Sequence, residues 1–300
     1  MTLPNFLIIG AAKSGTTAIH AYIKQHPNIF MSDPKELRFF SYMGPPPRGL
    51  PDIYIHQGVT TIEEYQLCFQ NVADERIIGE ASPMYLYTPG TAERIKQVIP
   101  HVKMLAILRN PIDRAFSAYM HAIRDWIEPA GSFKEALQFE QERINAGWGM
   151  LWHYTNAGFY FEQLSRYFQV FNSDQIKVVL YDDLVNDVSA LLDDIFAFLE
   201  IDTTFKPNIA AHPNVSGFPK SQNYHKFLYQ LFMKDNPIKR LSRHIMPKSM
   251  RQKSMIKLRS MNLEKRAMPI EIRRQLVQLY FDDIKNLEGL IHRDLSLWVK

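Results

Sequence analysis

The sequence predicts an α/β fold, a parallel sheet flanked by helices, on three observations. Short apolar runs recur along the chain, each ends at a turn signal, and stretches of helical spacing lie between them. The last third is basic and reads as helical.

The elements follow in order. Phe6-Leu7-Ile8-Ile9 stops at Gly10 and reads as a buried strand. Thr16 to Gln25 spaces Ile19, Tyr22 and Ile23 on one helical face and stops at His26-Pro27. Arg76-Ile77-Ile78-Gly79 gives a second strand, and Thr91 to Ile99 a helix with Thr91 as N-cap. Lys103 to Leu108 is the next strand. It breaks at Arg109-Asn110-Pro111, where Pro111 suits the first turn of a helix running to about Arg124. Helical patterns continue over Ser132 to Asn145 and Phe159 to Phe171. Ile176 to Tyr181 is a strand that leads into a helix from Asp182 to Leu199. Residues 201–223 lapse into a Pro-, Asn- and Gly-containing loop.

The 300 residues, 46% hydrophobic and 22% charged, can bury one large core, and neither repeat nor low-complexity linker divides them. One domain over 1–300 is expected, with an irregular insertion at about 41–60 around Pro45-Pro46-Pro47 and a helical basic segment at about 223–288. The single cysteine, Cys68, excludes an internal disulfide and a cysteine zinc site, which allows a reducing compartment. Met1 to Asn5 lacks the basic stretch of a signal peptide, and no apolar run approaches the ~18 residues of a spanning helix. A soluble, cytoplasmic protein is expected. Between Lys239 and Arg274 a run of Lys and Arg is opposed only by Glu264 and Glu271. Such a run is a solvated face, a surface for an anionic acceptor, or a peripheral contact with anionic lipid. No nucleic-acid motif accompanies it, so no nucleic-acid partner is expected.

Gly10-Ala11-Ala12-Lys13-Ser14-Gly15-Thr16-Thr17 joins the first strand to the first helix. A helix start offers free N–H groups and the positive end of its dipole, which suits phosphate. Lys13 adds a cation, Ser14, Thr16 and Thr17 add hydroxyls, and Gly10 and Gly15 permit close approach. A nucleoside-triphosphate P-loop places lysine after its second glycine, whereas Lys13 precedes Gly15 and Thr16 stands in the lysine position. The loop is P-loop-like, with the wrong order for an ATPase.

This loop resembles the 5′-phosphosulfate loop of sulfotransferases that use 3′-phosphoadenosine 5′-phosphosulfate (PAPS). The resemblance implies that Lys13 meets the bridging oxygen and sulfuryl group, while Ser14, Gly15, Thr16 and Thr17 hold the 5′-phosphate. Leu108-Arg109-Asn110-Pro111 through Ser117 is similar to the family's 3′-phosphate motif, an arginine with a serine eight residues later. Arg109 sits at a strand end, where α/β sheets place ligands, and its planar fork suits phosphate. Arg114, one turn on, is expected to pair with a carboxylate instead. Tyr181-Asp182-Asp183-Leu184 resembles a segment whose tyrosine lies near adenine, which makes Tyr181 a donor contact. Asn214 to Lys220 resembles a late loop closing over the 3′-phosphate, which adds Gly217, Phe218 and Lys220. Arg293 to Trp298 resembles a structural C-terminal segment of bacterial members.

Sulfuryl transfer needs a base, an in-line nucleophile and a stabilised leaving group. Lys35-Glu36-Leu37-Arg38-Phe39-Phe40 is similar to the heparan-type K-E-x-x-F-F segment, which implies Glu36 as general base and Lys13 as stabiliser of the leaving phosphate. A base at Glu36 calls for a raised pKa, and Phe39 and Phe40 could bury it. Arg38 stands where several glycan-modifying relatives have histidine, and Ala81 where they have lysine, which argues against heparan itself as acceptor. His20, His56, His101 and His121 are alternative bases. The implied enzyme moves a sulfuryl group from PAPS, leaving PAP, to a hydroxyl or amine-type nitrogen of a natural product, sugar or lipid, with no metal. The Pro-rich insertion near Pro45 and the aromatic stretch Trp148, Trp152 and Tyr154 are candidate acceptor walls. A nucleotide kinase or ATPase, and a non-catalytic nucleotide-binding module, are the competing readings.

Overall fold

A computed structural model describes residues 2–41, 58–209, 218–232, 257–258, 261–264 and 266–300. Five described strands form one wholly parallel sheet: β1 (Phe6–Gly10), β2 (Ile29–Met31), β3 (Ile77–Ala81), β4 (Lys103–Leu108) and β5 (Ile176–Leu180). Their spatial order is β2-β3-β1-β4-β5, so β1 lies between β3 and β4. From β1 the chain passes to the edge at β2, returns through β3, and then crosses to β4 and β5 on the other side of β1. This reversal opens a crevice beyond the strand ends, between the turns that leave β1 and β4.

The described helices are α1 (Thr16–Ile23), α2 (Ile62–Leu67), α3 (Thr91–Val98), α4 (Pro111–Arg124), α5 (Phe133–Gln138), α6 (Glu140–Asn145), α7 (Tyr160–Val170), α8 (Tyr181–Asn186), α9 (Val188–Phe198), α10 (Gln222–Phe232) and α11 (Ile270–Ile291). They cover both faces of the sheet. Leu7 and Ile9 of β1 enter one apolar cluster with α4, α7 and α11, while Phe6 and Ile8 enter the other with α1 and α9. Burial on both sides explains why β1 and β4 read as unbroken apolar runs.

Several boundaries differ from the sequence reading. β2, at three residues, is too short to show a period, and α2 is a two-turn helix capped by Thr61, whose hydroxyl accepts from Glu64 N–H at 3.2 Å. The stretch from Ser132 to Asn145 divides at Phe139 into α5 and α6. β5 ends at Leu180, so Tyr181 opens α8 rather than closing the strand. Asp187 interrupts the next helix and caps α9 through Ala190 N–H, 3.0 Å. Thr91 lies inside α3, whose N-cap is Gly90.

The basic C-terminal part is not helical throughout. Strand β7 (Leu263–Glu264) pairs antiparallel with β6 (Phe218–Pro219), ahead of the long α11. Arg273 on α11 bonds Asp113 on α4 at 2.8 Å, so one of the basic residues is an anchor. Residues 42–57 of the insertion and 233–256 of the basic segment lie outside the described residues.

Candidate active site

The turn after β1 is shaped for an anion. Lys13 has φ 70° and Gly15 φ 97°, two left-handed residues that fold the loop over the start of α1. A Cβ on Gly15 would lie 2.8 Å from the end of the Leu184 side chain and 3.2 Å from the Tyr181 ring, so those side chains would have to give way, and φ strains any side chain there in addition. No side chain caps α1. Ala18 and Ile19 N–H turn inward to Gly15 O, which leaves the earlier amides at the loop mouth. Ser14 Oγ is buried without a hydrogen-bond partner. Thr16 is buried and Thr17 exposed. An orphaned hydroxyl at an uncapped helix start fits a phosphate ligand, because that ligand accepts what the protein leaves unsatisfied.

Burial, with Arg124 and then Arg109 adding like charge, lowers the Lys13 pKa from 10.5 to about 8 against the opposing pull of Asp125 and Glu36. Arg109, just past β4, donates Nη1–H to Lys13 O at 3.4 Å and stacks its guanidinium over the Tyr181 ring at 4.8 Å. Adjacent strands thus bring the two proposed phosphate motifs together. Asn110 starts α4 by accepting from Ile112 N–H at 3.0 Å, with Pro111 in the first turn, and Ser117 is buried on the same helix. The C-terminal segment braces this corner. Arg293 forks onto Asp183 at 2.7 and 3.1 Å, Asp183 accepts from Leu180 N–H, and Trp298 O accepts from Asn110 Nδ2.

Glu36 lies on the segment that follows β2. Lys35 Nζ contacts Thr17 Oγ1 at 3.4 Å and Glu36 Oε1 at 3.3 Å, and Arg38 Nη2 bonds Glu36 Oε2 at 2.8 Å. The expectation of a raised pKa is wrong in sign. Burial raises it, but Lys35 and Arg38 outweigh burial and hold the carboxyl below its ordinary value. Phe39 and Phe40 do not supply the shift. Phe39 stacks on Tyr65 at 4.4 Å, and Phe40 meets Tyr65 and Tyr85 edge-on.

The remaining predicted residues scatter. Lys220 N–H bonds Asn262 O at 2.7 Å and its Nζ reaches Met261 O at 3.2 Å, both within the β6–β7 ribbon. Gly217, the side chain of Phe218, and His56 lie outside the described residues. His101 is exposed ahead of β4, at the strand end opposite Arg109. His20 sits on α1 with its pKa lowered to about 4 by burial, Lys35 and Lys24. His121 Nδ1 accepts from Arg124 at 2.7 Å, and Nε2 lies 3.4 Å from Asp125. Arg114 is buried and donates to the Tyr154 carbonyl, a backbone oxygen in place of the expected carboxylate. Trp152 and Tyr154 are wholly buried, so they form core rather than an acceptor wall.

Sequence reasoning missed Tyr160, which α7 places beneath the loop. Its buried hydroxyl neighbours Ser14 and the Arg109 backbone yet completes no well-directed bond. It also missed Arg124 and Asp125, whose charges act on Lys13 from the end of α4. Among the described residues no cluster of three His, Cys, Asp or Glu could hold a metal ion, and no helix is long and apolar enough to cross a membrane.

Comparison with known proteins points to one family. A sulfotransferase from Alicyclobacillus acidocaldarius, known as a crystal structure, superposes with a TM-score of 0.75 at 34% identity, covering 100% of both chains. The membrane-associated sulfotransferase kil1 of Dictyostelium discoideum is 23% identical over 79% of this chain and 64% of its own length. Human bifunctional heparan sulfate N-deacetylase/N-sulfotransferase 3 is 26% identical over 66% of this chain and 22% of its own. The chain therefore spans less than two thirds of either curated relative. Residues 3–287 match the sulfotransferase domain, and the chain belongs to that family.

Proposed function

We propose that the chain transfers a sulfuryl group from PAPS to a hydroxyl or amine-type nitrogen of a small natural product, sugar or lipid. The observation that carries this reading is the meeting of Lys13 and Arg109 across β1 and β4, with orphaned Ser14 Oγ and an uncapped helix start between them. A donor with separate 5′ and 3′ phosphates needs two such grips. A triphosphate loop would have its lysine where Thr16 stands.

In this reading the loop amides, Ser14, Thr16 and Thr17 hold the 5′-phosphate, and Arg109 with Ser117 holds the 3′-phosphate. Tyr181, stacked on Arg109, borders the adenine side, and Gly217, Phe218 and Lys220 belong to the closing segment. The donor supplies an activated sulfur–oxygen bond. Glu36 takes the proton from the acceptor O–H or N–H as that atom bonds to sulfur, and the departing electron pair settles on the phosphate oxygen of PAP. Lys13 offsets that negative charge. Glu36, ionised in the free protein, must loosen its bond with Arg38 to receive the proton. A cytoplasmic location belongs to the same proposal.

The test is transfer of ³⁵S label from PAPS to an acceptor panel of amino sugars, phenols and lipid alcohols, read by mass spectrometry. Glu36→Gln should retain PAP affinity and lose about 100-fold or more of the transfer rate, the usual scale of general-base catalysis. Full activity in Glu36→Gln would place the base elsewhere. Label on no acceptor would favour a binding module.

A further inference from the structure

We infer that Glu80 is the positioning residue for Glu36, its buried carboxylate clamping, through Ser82 and Tyr85, the backbone that carries the base. The inference rests on Glu36 acting as base.

Glu80 is in β3, beside β1, and is fully buried. Its Oε1 accepts from Tyr65 Oη at 2.7 Å and Tyr85 Oη at 2.6 Å, and its Oε2 accepts from Ser82 Oγ at 2.8 Å. Two of these hydroxyls are acceptors in turn. Ser82 Oγ receives Arg38 N–H at 2.9 Å, and Tyr85 Oη receives Phe40 N–H at 3.4 Å. A hydroxyl has one proton, and here each gives it to Glu80, so its oxygen faces the segment with lone pairs only. One carboxylate thereby sets the direction of the network and anchors Arg38 and Phe40.

The clamped segment needs such an anchor. Glu36 has φ 68° and Arg38 φ 58°, left-handed conformations that non-glycine residues hold only under constraint. Leu37 lies between them, and Glu36 N–H bonds Ala81 O at 3.1 Å, next to Glu80 in β3. Release of the Glu80 side would let both residues relax and turn the Glu36 carboxylate away from Lys35 and the loop. Burying a carboxylate is expensive, and an apolar residue would serve packing alone. Its placement under the base segment accounts for it.

The experiment compares Glu80→Gln with wild type by amide hydrogen exchange, PAP calorimetry and PAPS turnover to water. A glutamine turns one acceptor into a donor, so one hydroxyl is left facing an N–H. Exchange at Arg38 and Phe40 should quicken about tenfold or more while the core amides of β1 keep their protection. The kcat for PAPS turnover should fall about tenfold with KM for PAPS within about twofold, because the donor loop is untouched. Unchanged exchange at these two amides in folded Glu80→Gln overturns the inference, as does a loss of PAP affinity equal to the loss of kcat. If Glu80→Gln does not fold, Ser82→Ala decides. It removes only the relay to Arg38, so faster Arg38 exchange supports the inference and unchanged exchange overturns it. Full turnover in Glu36→Gln refutes the base assignment separately, since the exchange result does not depend on it.

Discussion

Lys13 gives the donor site a pH dependence that can be worked from the structure. Its pKa of about 8 arises chiefly from burial, with Arg124 and Arg109 adding repulsion that Asp125 and Glu36 only partly offset. In the free protein the side chain is then about 90% charged at pH 7 and about 10% charged at pH 9. A phosphate ligand binds the ammonium form, and the phosphates of PAP are ionised throughout this range. PAP affinity should therefore fall about tenfold between pH 7 and pH 9, with proton uptake on binding that grows above pH 8. The same shift has the opposite effect on stability of the unliganded protein. The unfolded chain keeps this proton up to about pH 10.4 and the folded chain loses it near pH 8, so stability rises with pH across that window. Calorimetry at both pH values, in two buffers of different ionisation enthalpy, reads affinity and proton uptake together. Lys13→Met keeps the volume and should bind PAP weakly at both pH values with no slope. A flat wild-type profile, or a slope that persists in Lys13→Met, would refute the argument.

Other consequences are equally direct. Gly15→Ala forces a β-carbon against Leu184 and Tyr181 at φ 97°, so it should lower stability by at least the ~1–2 kcal/mol of a left-handed non-glycine residue and weaken PAP binding, both measurable in one thermal-shift series. Arg109→Lys loses the planar fork and the stacking on Tyr181 but keeps the charge; PAP affinity should fall about 10- to 100-fold, corresponding to ~1.5–3 kcal/mol for a charged hydrogen bond, as read by calorimetry. Arg293→Ala frees Asp183 from its two-pronged partner on a partly exposed surface; the thermal midpoint should drop by a few degrees at most, and donor affinity should fall only through displacement of Tyr181.

What the sequence disclosed depended on how locally each feature is encoded. β1, β4 and β5 are apolar runs because both faces of the sheet are covered, and that pattern is visible in a single window. The donor loop is a contiguous motif, and Arg109 is fixed by its place at a strand end. β2 is too short to carry a period, and Asp187 breaks a helix by capping the next one. The Glu36 site shows the limit most clearly. Its residues were identified, but its charge state depends on two left-handed turns that fold Lys35 and Arg38 onto one carboxylate. Tyr160 was missed because Ser14 and Arg109 are remote from it in the chain. Glu80 was missed although Ser82 and Tyr85 are two and five residues away, because nothing local in the sequence marks a carboxylate as buried, and Tyr65 joins it only in the fold. Trp152 and Tyr154 looked like a binding surface for the converse reason. Their polar atoms are satisfied internally, by Ile127 O and Glu128.

The central claim is that the crevice between β1 and β4 holds a nucleotide with separate 5′ and 3′ phosphates. Calorimetric titration of the full chain with PAP, and in parallel with ATP–Mg²⁺, tests it most directly. The account predicts saturable PAP binding that Lys13→Met and Arg109→Ala each weaken, and much weaker binding of ATP–Mg²⁺. Tight binding of ATP–Mg²⁺ with none of PAP would contradict it.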